Sequence, residues 1–401
     1  MSLKYICLLF KWFLYLISYF FLRDKNLWAF GSRKGQFVDN PKYLFLHICT
    51  EHKYIECVWI SSDKSTVAEL CGMGLNAYYK WSFLGVWKSL RAAYFIYAFD
   101  SDDINFHCSA SAKLINLYHG LPLKKIEFDT QVGSSHKIYH PSSLVEFLRS
   151  KIIYAPKWQK IDVFQIPSSS LKEIHDSAFN HQIDKYVYGI NPRLAPLMDG
   201  SILHDTIAND RKKASEYIKG YDKVWIYMPT WRQGSPDILK EAFPDLDVLN
   251  TALKKNNILL VLKMHLYSLD NIGSHSNISS FPAELDVYPF LSVVDLLITD
   301  YSSIAFDFAL IKGNTIFYAY DLERYLATAS DGFYFDYEAF SNALKVETFD
   351  QLINIIESND ISQFCLGASI SSAVWGKYEN IDFFASNENL VSEIKNIRGL
   401  K

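Results

Sequence analysis

Several function classes are excluded by what the sequence lacks. Its six cysteines, Cys7, Cys49, Cys57, Cys71, Cys108 and Cys365, show no CxxC pair and no Cys/His spacing of a zinc site. A disulfide framework or structural zinc module would need such spacing, so they read as reduced residues of a cytosolic protein. The 17 glycines form no Walker loop, no Gly-x-Gly-x-x-Gly fingerprint and no Gly-x-Ser-x-Gly elbow, which sets aside the P-loop, dinucleotide and serine-hydrolase readings. Positive charge is not in excess: 40 Lys and Arg stand against 44 Asp and Glu, for a net charge of −4. Nothing therefore attracts nucleic acid globally, and any polyanion site must be local. There is no low-complexity tail or internal repeat. Apolar residues are plentiful, at 49% of 401, enough for two α/β cores at about 150 residues per domain.

The one long apolar run is residues 5–22, rich in aromatic side chains and interrupted only by Lys11. As a helix it would be about 27 Å long, short of the roughly 30 Å hydrocarbon core, with a charge in its middle. No small-residue cleavage site follows, so it does not read as a removable signal peptide. Lys4, Lys11, Arg23 and Lys25 instead suit a monotopic helix in the membrane interface whose basic side chains snorkel. The expectation is a protein at the cytoplasmic face of the membrane, with this helix at 1–25.

Beyond it, apolar runs of strand length recur at 27–30, 55–60, 94–99 and 114–118, then at 224–228, 258–262, 295–299 and 315–320. Helix-period segments lie between them, which is the pattern of a doubly wound parallel sheet repeated twice. The expected domains are 26–205 and 206–370, with a helical tail at 371–401. Ligands of such sheets bind beyond the carboxyl ends of the strands. In the second half these ends deliver Pro229-Thr230-Trp231-Arg232, Lys263-Met264-His265 and Asp300-Tyr301-Ser302-Ser303. Arginine offers a planar fork for phosphate oxygens and lysine a compact cation, while two serines at a helix start expose backbone N–H groups to an anion. Together they suit a diphosphate. In the first half the run 114–118 ends in His119-Gly120 with Lys124 and Lys125 following. A strand-end histidine is a candidate general base, and the glycine allows a ligand to approach the backbone. Asp100, Asp102 and Asp103 resemble the metal-binding triplet of nucleotide-sugar transferases, but the pattern is unspecific and reads as an ordinary polar loop. No metal ligand and no cofactor are assigned.

These motifs, in this order, resemble the CDP-glycerol glycerophosphotransferase family of teichoic-acid and capsule polymerases and primases. The matching pieces are Gly31, Asp39-Asn40-Pro41-Lys42-Tyr43-Leu44, residues 119–125, Pro192-Arg193, residues 229–232, Lys263-Met264-His265, and residues 298–304 with Phe306-Asp307-Phe308. The resemblance implies a GT-B-like fold, two Rossmann-like domains facing a central crevice. It also implies transfer of a polyol phosphate from a CDP-activated donor to a lipid-linked or polysaccharide acceptor. On that pattern His119 and His265 are the catalytic candidates. Gly120, Lys124, Arg193, Thr230, Arg232, Lys263, Asp300, Ser302, Ser303 and Asp307 are the substrate-binding ones. The chain departs from the family at Leu266, at Tyr118, and at Glu379-Asn380-Ile381-Asp382, so the polyol and the acceptor stay open. The competing readings are a glycosyltransferase of the same fold and a non-catalytic polymer-binding protein.

Overall fold

The computed structural model describes residues 3–197, 204–230, 232, 238–264, 273, 275–311, 313–328, 331–341, 344–364 and 383–397. The chain divides into two compact units. The first comprises Met1–His119, Ser134–His204 and Glu379–Lys401, the second Gly120–Gly133 and Asp205–Tyr378.

The first unit is built on a seven-stranded parallel sheet. Its strands are β1 (Asp24–Phe30), β2 (Glu56–Ser61), β3 (Ala77–Tyr79), β4 (Ala92–Tyr97), β5 (Lys113–Asn116), β6 (Val163–Ile166) and β7 (Tyr186–Tyr188), in the order β3-β2-β1-β4-β5-β6-β7. The second unit repeats the plan with β8 (Lys223–Tyr227), β9 (Ile258–Leu262), β10 (Ile278–Ser280), β11 (Leu296–Thr299), β12 (Thr315–Tyr318) and β13 (Lys345–Val346), ordered β10-β9-β8-β11-β12-β13. Central strands of a parallel sheet are covered on both faces, so their side chains need not alternate. Accordingly β4, β9, β11 and β12 are buried at every residue. In each sheet the order reverses beside the first strand, between β1 and β4 and between β8 and β11. Such a reversal opens a crevice at the carboxyl ends of the two strands.

The N-terminal helix, Leu3–Ser18, packs one face on the first unit. Its Trp12 and Tyr15 rings pack on Phe106 at centroid distances of 5.7 and 4.8 Å, and Leu14 and Phe21 join the core beneath β1 and β4. Neither of two basic residues expected to snorkel does so. The Lys11 ammonium sits 4.8 Å over the Trp81 ring. Arg23 is buried and donates to the carbonyls of Ser89, Ala92, Ser18 and Cys108 and to the Ser111 hydroxyl. Burial lowers its pKa to about 10. This guanidinium fastens the helix end to β4 and to the 106–111 loop. The opposite face of the segment, with Leu9, Phe10, Phe13, Leu16, Phe20 and Leu22, is exposed. No helix among the described residues is long and apolar enough to cross a membrane.

Candidate active site

In the first unit three strand ends meet around His119. β1 runs into Gly31, where a Cβ would come within 2.4 Å of the Asp103 carbonyl oxygen, so only glycine allows the loop after β4 to cross. That loop spends its carboxylates on its own structure. Asp100 accepts from the Asp102 N–H, and Asp102 is paired with Lys80 at 2.8 Å. Asp103 accepts from the Ala98 and Phe99 N–H groups, its pKa raised by burial to about 8. These bonds give the Asp-x-Asp pattern a loop-forming role.

β5 ends at Asn116, whose side chain accepts from the Tyr118 N–H at 2.8 Å. Tyr118 takes a left-handed φ of 52°, and Gly120 has φ 156°. A left-handed tyrosine costs on the order of 1–2 kcal/mol, so the surrounding contacts must hold the turn. Asn40 does so by donating to the Leu117 and Tyr118 carbonyls, and Arg193 by donating to the His119 carbonyl at 2.8 Å and to Asp39 at 2.6 Å. Arg193 was expected to bind substrate. It is buried, and these bonds make it a positioning residue for the histidine turn.

The His119 ring stacks on Phe99 at 3.9 Å and 11°, and the Arg33 guanidinium lies 4.9 Å from the other ring of that pair. Its Nδ1 is buried with no hydrogen bond of normal geometry among the described residues. Burial is the main reason that its pKa falls to about 4; Asp39 works against the shift and Arg193 with it. The imidazole is therefore neutral at physiological pH, the form that can accept a proton.

In the second unit the groups after β8, β11 and β12 converge. The Asp300 carboxylate follows β11 with no exposure and accepts from the N–H groups of Thr230 at 2.7 Å and Tyr301 at 2.5 Å. Arg232 was expected to present its fork to a diphosphate. Instead its Nε and one terminal nitrogen make a bidentate pair with Asp321 at 2.8 and 2.7 Å. The other terminal nitrogen lies 2.9 Å from Asp300 and donates to the Thr230 carbonyl. Tyr301 donates to the same Asp321 and stacks on Tyr325 at 4.2 Å. Two carboxylates thus saturate most of the fork, and Arg232 is the keystone of a buried network. Asp321 was missed, although it is the first charged residue after β12, where the strand-end rule directs attention.

Lys124 and Lys263 are better placed to meet an anion. Neither has a carboxylate within ion-pair distance among the described residues. Lys124 lies 5.7 Å over Tyr325 on a segment that bridges to Phe333, and Lys263 lies 4.5 Å over Phe281 at the end of β9. Burial lowers both pKa values, while Asp300 raises that of Lys124 and Asp286 that of Lys263. A half-buried cation with no carboxylate at ion-pair distance among the described residues is poised for an anionic ligand. Ser302 and Ser303 precede the helix Ile304–Ile311, both partly exposed, and neither hydroxyl hydrogen-bonds to protein among the described residues. The Ala305 and Phe306 N–H groups donate to the Ser302 and Ser303 carbonyls at 3.4 and 3.1 Å, so it is the Ser303 and Ile304 N–H groups at the helix start that face a phosphate oxygen. Asp307, also expected to bind substrate, is turned inward, where it accepts from the buried Tyr288 hydroxyl at 2.9 Å. The Thr230 hydroxyl is buried without a partner among the described residues. His265, Trp231 and residues 379–382 lie outside the described residues.

A concavity of about 590 Å³ beneath the N-terminal helix, lined by Trp12, Tyr15, Phe106, Trp158, Gln159 and Asp162, opens near the start of β5. That is the amino end of the sheet, away from the strand ends where such folds place their ligands.

Two doubly wound parallel sheets, each with polar side chains at the carboxyl ends of its strands, make this an α/β protein of the kind that binds its ligands at those ends. The chain belongs to the CDP-glycerol:poly(glycerophosphate) glycerophosphotransferase family, whose sequence profile matches residues 13–368. It is 28% identical over 361 residues to the teichoic acid glycerol-phosphate transferase of Staphylococcus aureus (84% of this chain and 85% of the relative). It is 27% identical over 348 residues to the teichoic acid poly(glycerol phosphate) polymerase of Bacillus spizizenii (83% and 84%). The fold is similar to that of the wall teichoic acid polymerase TagF, with a TM-score of 0.72 and 20% identity over 93% of this chain and 89% of that one.

Proposed function

We propose that the protein transfers a polyol phosphate, glycerol phosphate first among them, from a CDP-activated donor to a hydroxyl of a lipid-linked or polysaccharide acceptor, releasing CMP. The observation that carries this reading is the family match across both units, together with relatives of similar length that act in teichoic acid synthesis. In the proposed step the acceptor O–H gives its proton to the His119 imidazole as its oxygen attacks the β-phosphorus. The bond to the bridging oxygen breaks, and CMP leaves with the electron pair. Phosphoryl transfer of this kind asks for positioning and charge neutralisation more than for covalent chemistry. Lys124, Lys263 and the Ser303 and Ile304 N–H groups would supply the neutralisation, with Arg232 holding Asp300 and Asp321 in place. Incubation with CDP-glycerol labelled at the β-phosphorus should carry label into the acceptor. Label retained on the released nucleotide would instead mark a sugar transfer, and no nucleotide release with either CDP-glycerol or CDP-ribitol would mark a binding protein.

The exposed face of the N-terminal helix supports a second part of the reading, monotopic docking at the cytoplasmic membrane surface. Phe83, Leu84 and Trp87 are also exposed, and Trp87 meets Phe21 edge-on at 6.2 Å, so the apolar surface continues onto the helix Phe83–Arg91. Each large side chain withdrawn from water contributes about 1.5–3 kcal/mol. Phe13→Ser with Phe20→Ser should therefore lower partition onto anionic vesicles by on the order of 100-fold, with circular dichroism unchanged. Equal partition of variant and wild type in a sedimentation assay would remove this face from the proposal.

A further inference from the structure

Away from both strand-end clusters, three potential metal ligands meet where the C-terminal helix Phe383–Lys395 lies on the helix Asp39–Glu51. The C-terminal helix is attached by buried Leu390, Val391 and Ile394, and by the Ser386 hydroxyl, which accepts from the Ile190 N–H at 2.9 Å. Beside these, His47 Nε2 and His52 Nε2 lie 2.9 and 2.8 Å from the same oxygen of Glu388. Five positions apart, the two histidines would diverge on an unbroken helix. They converge because His52 is the C-cap, at φ −122° and ψ 56°, where the chain turns back. All three donor atoms lie within 4.8 Å of one another.

We propose that His47, His52 and Glu388 bind a borderline divalent cation of the zinc class, which clamps the C-terminal helix to the first unit. Two imidazoles and a carboxylate are a recurrent donor set for zinc, with a further position left to water. At metal–ligand distances of about 2.0–2.2 Å in a tetrahedron, donor atoms stand about 3.3–3.5 Å apart. Admitting the ion therefore asks Glu388 to retreat by about half an ångström and the two imidazole nitrogens, which lie within 4.8 Å of one another, to settle at the same spacing by side-chain rotation. The Tyr54 hydroxyl lies 3.2 Å from His52 Nδ1 and is itself contacted by Lys395. When Nε2 takes the metal, Nδ1–H can donate to Tyr54, the outer bond that fixes a ligating ring.

The test uses the full-length protein, stripped with a chelator and titrated with zinc chloride by calorimetry and with cobalt(II) by visible absorption. The expected result is one ion per chain, a visible spectrum of four-coordinate cobalt without a thiolate charge-transfer band, and a raised Tm with zinc. Glu388→Gln retains a side-chain acceptor for both imidazoles but loses the ligand charge, so it should fold and lose the ion. Tyr54→Phe should weaken binding about tenfold. His136→Gln with His140→Gln, which removes a stacked pair elsewhere, should leave it unchanged. The assignment is overturned by the lack of saturable one-to-one uptake, by uptake undiminished in Glu388→Gln, by loss of the ion with the His136 and His140 pair, or by a thiolate band.

Discussion

Replacing His119 with alanine should lower kcat by on the order of 10²- to 10⁴-fold while donor affinity changes little. A proton moves to the base only as the attacking oxygen develops charge, so the interaction is realised in the transition state and its loss appears in kcat rather than in binding. The structure adds a pH signature. Burial places the His119 pKa at about 4, so the base is already deprotonated through the neutral range. It becomes protonated only as pH falls toward 4, where activity is lost. The acid limb of kcat/KM, which reports the free enzyme, should therefore fall well below the ordinary histidine value of about 6.5. Single-turnover rates at saturating CDP-glycerol, with donor affinity measured calorimetrically, separate the cases. Intact chemistry with a large loss of donor affinity would move His119 from base to binding residue.

The neutral state of His119 could not be foreseen from its place in the sequence, because it depends first on burial in the fold and then on the balance of Asp39 against Arg193. The frame that supplies these groups was legible. Uninterrupted apolar runs such as Ile258–Leu262 carry their own assignment, since only strands covered on both faces tolerate them. The helix Ile304–Ile311 and the turn before it likewise follow from an apolar segment behind two serines. Short strands escaped: β3, β10 and β13 have three, three and two residues, too few for a period to be read. They form because a sheet edge already exists to pair with, which is a tertiary cause.

Charged residues were harder to read than apolar ones, and for one reason. A strand-end arginine looks the same whether its fork faces a ligand or a carboxylate distant in sequence. Arg23, Arg193 and Arg232 all proved to be buried and bonded to protein, to carbonyls in the first case and to Asp39 or Asp321 in the others. Lys124 and Lys263 carry no such partner among the described residues, and composition cannot distinguish them from the arginines. His47, His52 and Glu388 are a stronger case. The glutamate is 336 positions from the nearer histidine, and their meeting depends on the C-terminal helix returning to the first unit.

Arg232→Ala should destabilise the second unit by about 3–5 kcal/mol and abolish turnover with it. Asp300 has no exposure and the Asp321 side chain only 4%, so removing the cation strands two carboxylates in an apolar setting lined by Tyr301, Tyr320 and Tyr325. A buried pair broken on one side costs far more than the intact pair contributes, because Asp321 then keeps only the exposed Arg324 at 3.3 Å and the Tyr301 hydroxyl, and Asp300 only the Thr230 and Tyr301 N–H groups. Arg232→Lys keeps the charge without the planar fork and should fall between alanine and wild type. The double variant Arg232→Met, Asp321→Asn should lose less stability than the two single changes summed, with a coupling of about 1–3 kcal/mol, since it removes both halves of the bidentate pair. Urea midpoints for wild type, Arg232→Ala, Arg232→Lys, the double variant and its two single changes, measured beside CDP-glycerol affinity, decide between network and ligand roles. Wild-type stability in Arg232→Ala combined with a hundredfold loss of donor affinity would return the guanidinium to the diphosphate, and would require Asp300 and Asp321 to be compensated by another cation.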